Sequence, residues 1–192
     1  MKKILVIMLA LTCAFAMFSC GDEGAVSLDG FKTAAANTAP AVVKVDVEVD
    51  TDLGALASSF KTTYAADGSF VIDYSYEQFN TTSSGNADDV KSTITGQVTC
   101  DKDGNYSDGG ALTGKTTAAT GAKLDFDASK MEGVSVSEDG NVLQATVKAA
   151  NTKAVLGIEI ASDVTLVVIK AADKIVSYTI EYDKTNIACS YQ

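Results

Sequence analysis

The chain has 192 residues, 46% hydrophobic and 21% charged, enough to build one ordinary core and not two. It contains no histidine and no tryptophan, and all 15 basic residues are lysines against 25 acidic ones, for a formal charge of −10. Without imidazole there is no Ser-His or Cys-His pair and no His-ligated metal site, and without arginine forks or a basic surface a polyanion is repelled. Histidine-dependent catalysis and nucleic-acid binding are therefore set aside at the outset.

Lys2 and Lys3 precede a mostly apolar run over residues 4–18. At ~1.5 Å per residue such a helix is too short for a ~30 Å hydrocarbon core, so residues 1–19 read as a cleaved signal peptide. The stretch Met17-Phe18-Ser19-Cys20, followed by Gly21-Asp22-Glu23-Gly24, resembles the lipobox of bacterial lipoproteins, with Met17 where that family usually carries an aliphatic residue. The resemblance implies that Cys20 is thioether-linked to diacylglycerol and that an acylated chain is held by this lipid in a bacterial cell envelope, outside the cytoplasm. A cut after Ala16, within Ala14-Phe15-Ala16, is the alternative and would release a soluble secreted protein. Cleavage before Cys20 removes Lys2 and Lys3 and takes the formal charge from −10 to −12. So acidic a domain gains nothing from an anionic membrane surface, and attachment falls to the acyl chains. Residues 20–30 are polar and glycine-rich and read as a lipidated tether with a reach of at most ~35 Å. Residues 31–192 read as a single β-rich domain.

In chain order, residues 29–38 suit a short helix ahead of Pro40. Val43, Val45, Val47 and Val49 then alternate with Lys44, Asp46 and Glu48, a strand with one buried face. Leu53, Leu56, Phe60 and Tyr64 are spaced for a helix, but the Ser and Thr between them fit a strand better. Phe70, Ile72, Tyr74 and Tyr76 resume the period of two, and residues 80–89, rich in Thr, Ser, Gly, Asn and Asp, read as a mobile loop. Ile94, Gly96, Val98 and Cys100 form the next alternating run, and residues 107–121 hold weak strands at best. Alternation returns in Val134 and Val136, and again in Leu143, Ala145 and Val147; residues 151–156 suit a short helix behind Asn151. Residues 164–169 are apolar on both faces, which predicts a sheet covered there on its second side. Val176, Tyr178, Ile180 and Tyr182, then Ile187, Cys189 and Tyr191, complete the series. Asp67-Gly68, Asp103-Gly104, Asp139-Gly140 and Ala172-Asp173-Lys174 punctuate it as turns; their near-even spacing admits either a duplicated hairpin or a plain meander. The expected fold is mainly β: an antiparallel meander of roughly eight to eleven strands forming a curved sheet or half-open barrel, with one or two short helices.

Several motifs invite a functional reading. Gly109-Gly110-Ala111-Leu112-Thr113-Gly114-Lys115-Thr116 spells a P-loop, but no apolar strand precedes it and no sound helix follows. Residues 101–108 begin like a calcium loop, yet Tyr106 stands where the loop glycine belongs and no bidentate glutamate follows, leaving a solvated turn. Glu77 and Glu181 lie near tyrosines, as a sugar-cleaving site requires, but their parity turns them to the opposite face. Ser58-Ser59-Phe60-Lys61 has the Ser-x-x-Lys spacing without the partner motifs of acyl enzymes. Phe60, Tyr64, Phe70, Tyr74, Tyr76, Tyr178, Tyr182 and Tyr191 fall on the inward parity and serve either as plain core or as the lining of a ligand cavity. Cys100 and Cys189 share that parity; a disulfide between them and two separate buried thiols are both open.

In its order of elements, a short helix, a long valine-alternating strand and successive hairpins, the chain resembles the half-barrel lipoprotein carriers of the LolA and LppX kind. That resemblance implies a lipid-carrying role. The residues themselves point first to a non-enzymatic, membrane-tethered envelope protein that binds a protein or surface polymer through its outer face. A carrier or sensor of an apolar ligand held in the half-barrel is the alternative, and an envelope hydrolase comes third. The expectation is no catalytic residue, no metal, no cofactor and no nucleic acid, with the membrane, an apolar ligand or an envelope protein as partner.

Overall fold

The computed structural model describes residues 26–81, 87–107 and 124–192. Cys20 with the leader, and the P-loop-like stretch 109–116, lie outside the described residues.

Among the described residues the alternating segments form nine strands: β1 (Val42–Thr51), β2 (Gly54–Tyr64), β3 (Phe70–Thr81), β4 (Ala87–Cys100), β5 (Met131–Val136), β6 (Val142–Val147), β7 (Val164–Ala171), β8 (Lys174–Tyr182) and β9 (Thr185–Tyr191). Two short helices join them, α1 (Asp29–Asn37) and α2 (Thr152–Leu156). The strands make one sheet in the order β4-β3-β2-β1-β9-β8-β7-β6-β5. Every pairing is antiparallel, and the first strand meets the last, with Val43 opposite Tyr191 and Val45 opposite Cys189. The sheet is therefore two meanders zipped along β1 and β9, open at the edges β4 and β5.

The inward parity of all strands but β4 contributes to a single core, together with Phe31 and Ala34 of α1, Val155 and Leu156 of α2, and Phe126. Laid flat, the nine strands would span ~38 Å at ~4.8 Å per gap, against a length of ~13 Å for α1 at ~1.5 Å per residue. A shared core around so short a helix requires a sheet that curls towards it. Leu28, Phe31 and Ala34, recurring every third residue, are the stripe that α1 buries. Leu28 is 3% exposed, so the folded domain reaches back into the stretch the sequence assigns to the tether.

The turns follow the Asp-Gly signals. Gly68, Gly104 and Gly140 all have positive φ, and Asp67, Asp101 and Asp139 each accept backbone N–H bonds across the turn. Asp67-Gly68 joins β2 to β3 and Asp139-Gly140 joins β5 to β6, while Asp103-Gly104 only returns the chain to a single bridge between Cys100 and Tyr106. The three turns do not close equivalent hairpins, which favours the meander over a duplication.

Three expectations change. Residues 80 and 81, and 87–89, belong to strands, because β3 and β4 form a long hairpin with Thr81 opposite Ala87. A register shift at Ile169/Lys170 puts Ile175, 3% exposed, in the core position that unbroken alternation gives to Val176. On the outer face of β7, Val167 is 7% exposed but stands apart from the core, flanked in register by Gln144 and Thr179. Cross-strand neighbours cover it where a second layer is expected.

Candidate functional site

α1 does not lie flush on the sheet along its whole length. Ala35, Ala36 and the Ala39-Pro40 link stand off from Val43, Tyr64 and Tyr191, and Ile175 and residues 124–126 complete the wall. The space between is a cavity of about 620 Å³, inside the ~300–1,000 Å³ range of small-molecule sites. Its wall is dominated by small and apolar groups: Ala35, Ala36, Ala39, Pro40, Val43, Leu124, Phe126 and Ile175. Pro40 stops the helix and sends the chain into β1, so the gap is built into the way α1 joins the sheet. The other end of α1 is anchored: the Phe31 ring packs 5.7 Å from that of Phe126, and Lys170 Nζ lies 5.7 Å over Phe31.

The polar groups of the wall are few. Thr38 Oγ1 donates to the Ala34 carbonyl (2.6 Å) and accepts from the Ile175 N–H (2.8 Å), tying the helix end to β8. Lys32 pairs with Asp29 at 3.9 Å, and Asp125 with Lys130 at 3.7 Å, all towards solvent. Tyr64 and Tyr191 also line the cavity. Burial raises the pKa of Tyr64, with Cys189 adding to it; burial also raises that of Tyr191 and pushes the Cys189 thiol up to about 11. Tyr191, Cys189 and Tyr178 are hydrogen-bonded to one another behind the cavity wall.

Of the eight inward aromatics, only Tyr64 and Tyr191 line the cavity. Phe60 and Tyr178 are buried in the core, and Phe70, Tyr74 and Tyr182 pack against it. Tyr76 stacks on Tyr74 (6.1 Å between ring centres, 23° between planes), and Tyr74 in turn covers Gly96 on the edge strand, where any side chain would collide with its ring and hydroxyl. The lining that the aromatic pattern misses is the alanine-rich end of α1 and the 124–126 segment. Its signal is a run of small residues, Ala34-Ala35-Ala36, on a helix stopped by Pro40.

The remaining candidates separate. Glu77 and Glu181 both border a trough of about 320 Å³ on the outer face, with Asp46, Glu48, Ala57, Ser59, Ser75 and Ala188. They sit on β3 and β8, four strand gaps apart, on the order of 19 Å along the ladder, where paired glycosidase carboxylates stand ~5–9.5 Å apart. Glu77 accepts from the Ala57 N–H at 3.0 Å, and that bond holds its carboxyl below the usual range. Ser58 and Lys61 are three apart on strand β2 and so point to opposite faces. The Asp101 carboxylate is engaged by the N–H groups of Asp103 and Asn105 and by the Asn105 amide, capping its turn. Among the described residues no group of three or more acidic or thiol side chains could hold a metal. Cys100 and Cys189 are buried and free, on β4 and β9 with three strands between them. No bridge joins them in this structure, where β3, β2 and β1 lie between their strands in the sheet order.

No protein-family model matches the chain, and no curated protein does. Among solved structures, the crystal structure of LprF from Mycobacterium bovis is similar to it with a TM-score of 0.44 and 15% identity, over 88% of this chain and 94% of that one.

Proposed function

We propose that the chain is a non-enzymatic carrier of an apolar ligand, held at a bacterial envelope membrane by lipid on Cys20 and working outside the cytoplasm. The observation that supports the ligand is the cavity of about 620 Å³ between α1 and the curled sheet, walled mainly by alanine, proline and aliphatic groups. In water such a surface is a cost, and each buried methylene of an acyl chain recovers ~0.8 kcal/mol. The lipobox-like end of the leader supports the anchor.

Mass spectrometry of the full-length protein extracted from expressing bacteria tests both. The denatured chain is expected to begin at Cys20 with diacylglycerol added, and the native one to carry the further mass of a lipid. Ala36→Trp places an indole from an exposed position of α1 into the cavity, and should remove most of that adduct while leaving thermal stability within about 0.5 kcal/mol. Ala145, 2% exposed, faces the filled part of the core, and Ala145→Trp should destabilise by ~1–3 kcal/mol. A chain that starts at Met17 overturns the anchor. A native wild-type protein without added mass overturns the carrier, and directs attention to the outer trough, whose carboxylates suit a cationic partner.

A further inference from the structure

The size and closure of the cavity restrict how much of a lipid it can house, an inference that rests on the carrier reading. The walls that meet the core are shut: Val43 and Phe126 are each 1% exposed and Ile175 is 3% exposed, and Tyr191, Cys189 and Tyr178 are hydrogen-bonded to one another behind them. The rim is wet, since the side chains of Lys32 and Asp125 are 56% and 59% exposed. A hydrated head group therefore stays at the rim, and the space a chain can fill is about 620 Å³. A methylene takes about the volume of a liquid water, ~30 Å³, so this space holds about 20 of them. One palmitoyl chain fits. Two palmitoyl chains, with about 30 methyl and methylene groups between them, need about 900 Å³.

We propose that the cavity takes lipids with a single acyl chain and excludes those with two chains of palmitoyl length. A second chain has to leave its membrane or micelle and stay outside the protein, and each methylene so exposed to water costs about fourfold in the binding equilibrium. At the rim it meets the ion pairs Lys32–Asp29 and Asp125–Lys130 rather than apolar surface. Leu124, half-buried, is one of the wall residues whose bulk sets the limit.

Native mass spectrometry of the full chain in micelles of a non-ionic detergent, offered palmitoyl-lysophosphatidylcholine and dipalmitoylphosphatidylcholine in equal amounts, tests it. The two probes share a head group and differ by one chain. The single-chain probe is expected to load at least about tenfold over the two-chain one. Lysophosphatidylcholines of increasing length should then load equally well up to about 20 carbons and fall about fourfold for each carbon beyond. Leu124→Ala removes about three carbons from the wall and should move that limit outward by about three carbons. Where that variant does not fold, the wild-type comparisons decide. Loading of the two-chain probe equal to or above the single-chain one, a wild-type length series without a limit, or a limit that stays in place in folded Leu124→Ala overturns the proposal and leaves the carrier reading standing. Loading of neither probe overturns both.

Discussion

Cys189 sits in the middle of β9, 2% exposed, with Tyr178 and Tyr191 hydrogen-bonded to it. Burial dominates these bonds and lifts its pKa to about 11, so at pH 8 on the order of one molecule in a thousand carries the reactive thiolate. Cys100 is 4% exposed on the edge strand. Both thiols should therefore label slowly with a disulfide reagent in the native protein, and the denatured, unreduced chain should then titrate two thiols. A count of zero there would mean that the chain bridges them after all. Side-chain period was enough to place both cysteines on the inward face, since parity is a local property of a strand. Whether they meet depends on strand order, which alternation does not encode. The tyrosines repeat the lesson: parity turned all eight aromatics inward, but only the placement of α1 decides that Tyr64 and Tyr191 face a void while Phe60 and Tyr178 face packed neighbours.

At the level of elements, the C-terminal end of α1 is tied to β8 chiefly by Thr38, with Asn37 donating to Asp173 at 3.3 Å beside it. Thr38 ends the helix, its N–H bonding to the Ala35 carbonyl, and its hydroxyl joins the last turn to the first residues of β8. Thr38→Val keeps the shape and removes both hydroxyl bonds, leaving the Ile175 N–H without its acceptor; a loss of ~1–3 kcal/mol is expected. Because the same residue lines the cavity, ligand retention should fall with it. A thermal or urea midpoint unchanged by the substitution would show that the helix is held elsewhere. The end of this helix was readable from Pro40, and most strands from their valines and Asp-Gly turns. The far end of the β3–β4 hairpin was not, since Thr, Ser and Asn there carry loop composition. Pairing with a partner strand satisfies the backbone whatever the side chains are, and that overrides local preference. Lys91 and Glu77 show how the hairpin tip is secured where it parts from β2: past Ser58 opposite Tyr76 the ladder stops, and Glu77 takes the Ala57 N–H while Lys91 donates to the Ala55 carbonyl. The cavity was the least legible feature, because a void is a property of what two elements fail to fill.

For the whole molecule, the absence of histidine and the acidic charge give stability a distinctive dependence on pH. On the acid side, Asp67, Asp101, Asp127 and Asp139 accept side-chain and backbone bonds in their turns, Asp163 is bonded by Lys148, and Glu77 by Ala57; each carboxyl is held below its usual pKa. A depressed folded-state pKa means that the unfolded chain binds protons first. Its contribution is present above the unfolded value of ~4 and is lost as pH falls through the folded one. On the alkaline side, burial raises Cys189 to about 11 and raises Tyr64 and Tyr191 as well, so there the unfolded chain releases protons first. That contribution is intact below the unfolded thiol value of ~8.5 and disappears as pH climbs through the folded values. Between these limits no side chain of this composition titrates with its ordinary pKa, histidine being the residue that would. Thermal midpoints measured at fixed ionic strength should thus form a plateau from about pH 5 to about pH 8, with a fall below about pH 4 and another above about pH 9. The Cys189→Ala variant should soften the first part of the alkaline fall and leave the acid limb alone, since in the unfolded chain a thiol, at ~8.5, loses its proton before a phenol, at ~10. A midpoint that steps inside the plateau would require a group with a strongly displaced pKa, and would contradict the assignment of the perturbed groups to the exposed turns and the cavity wall.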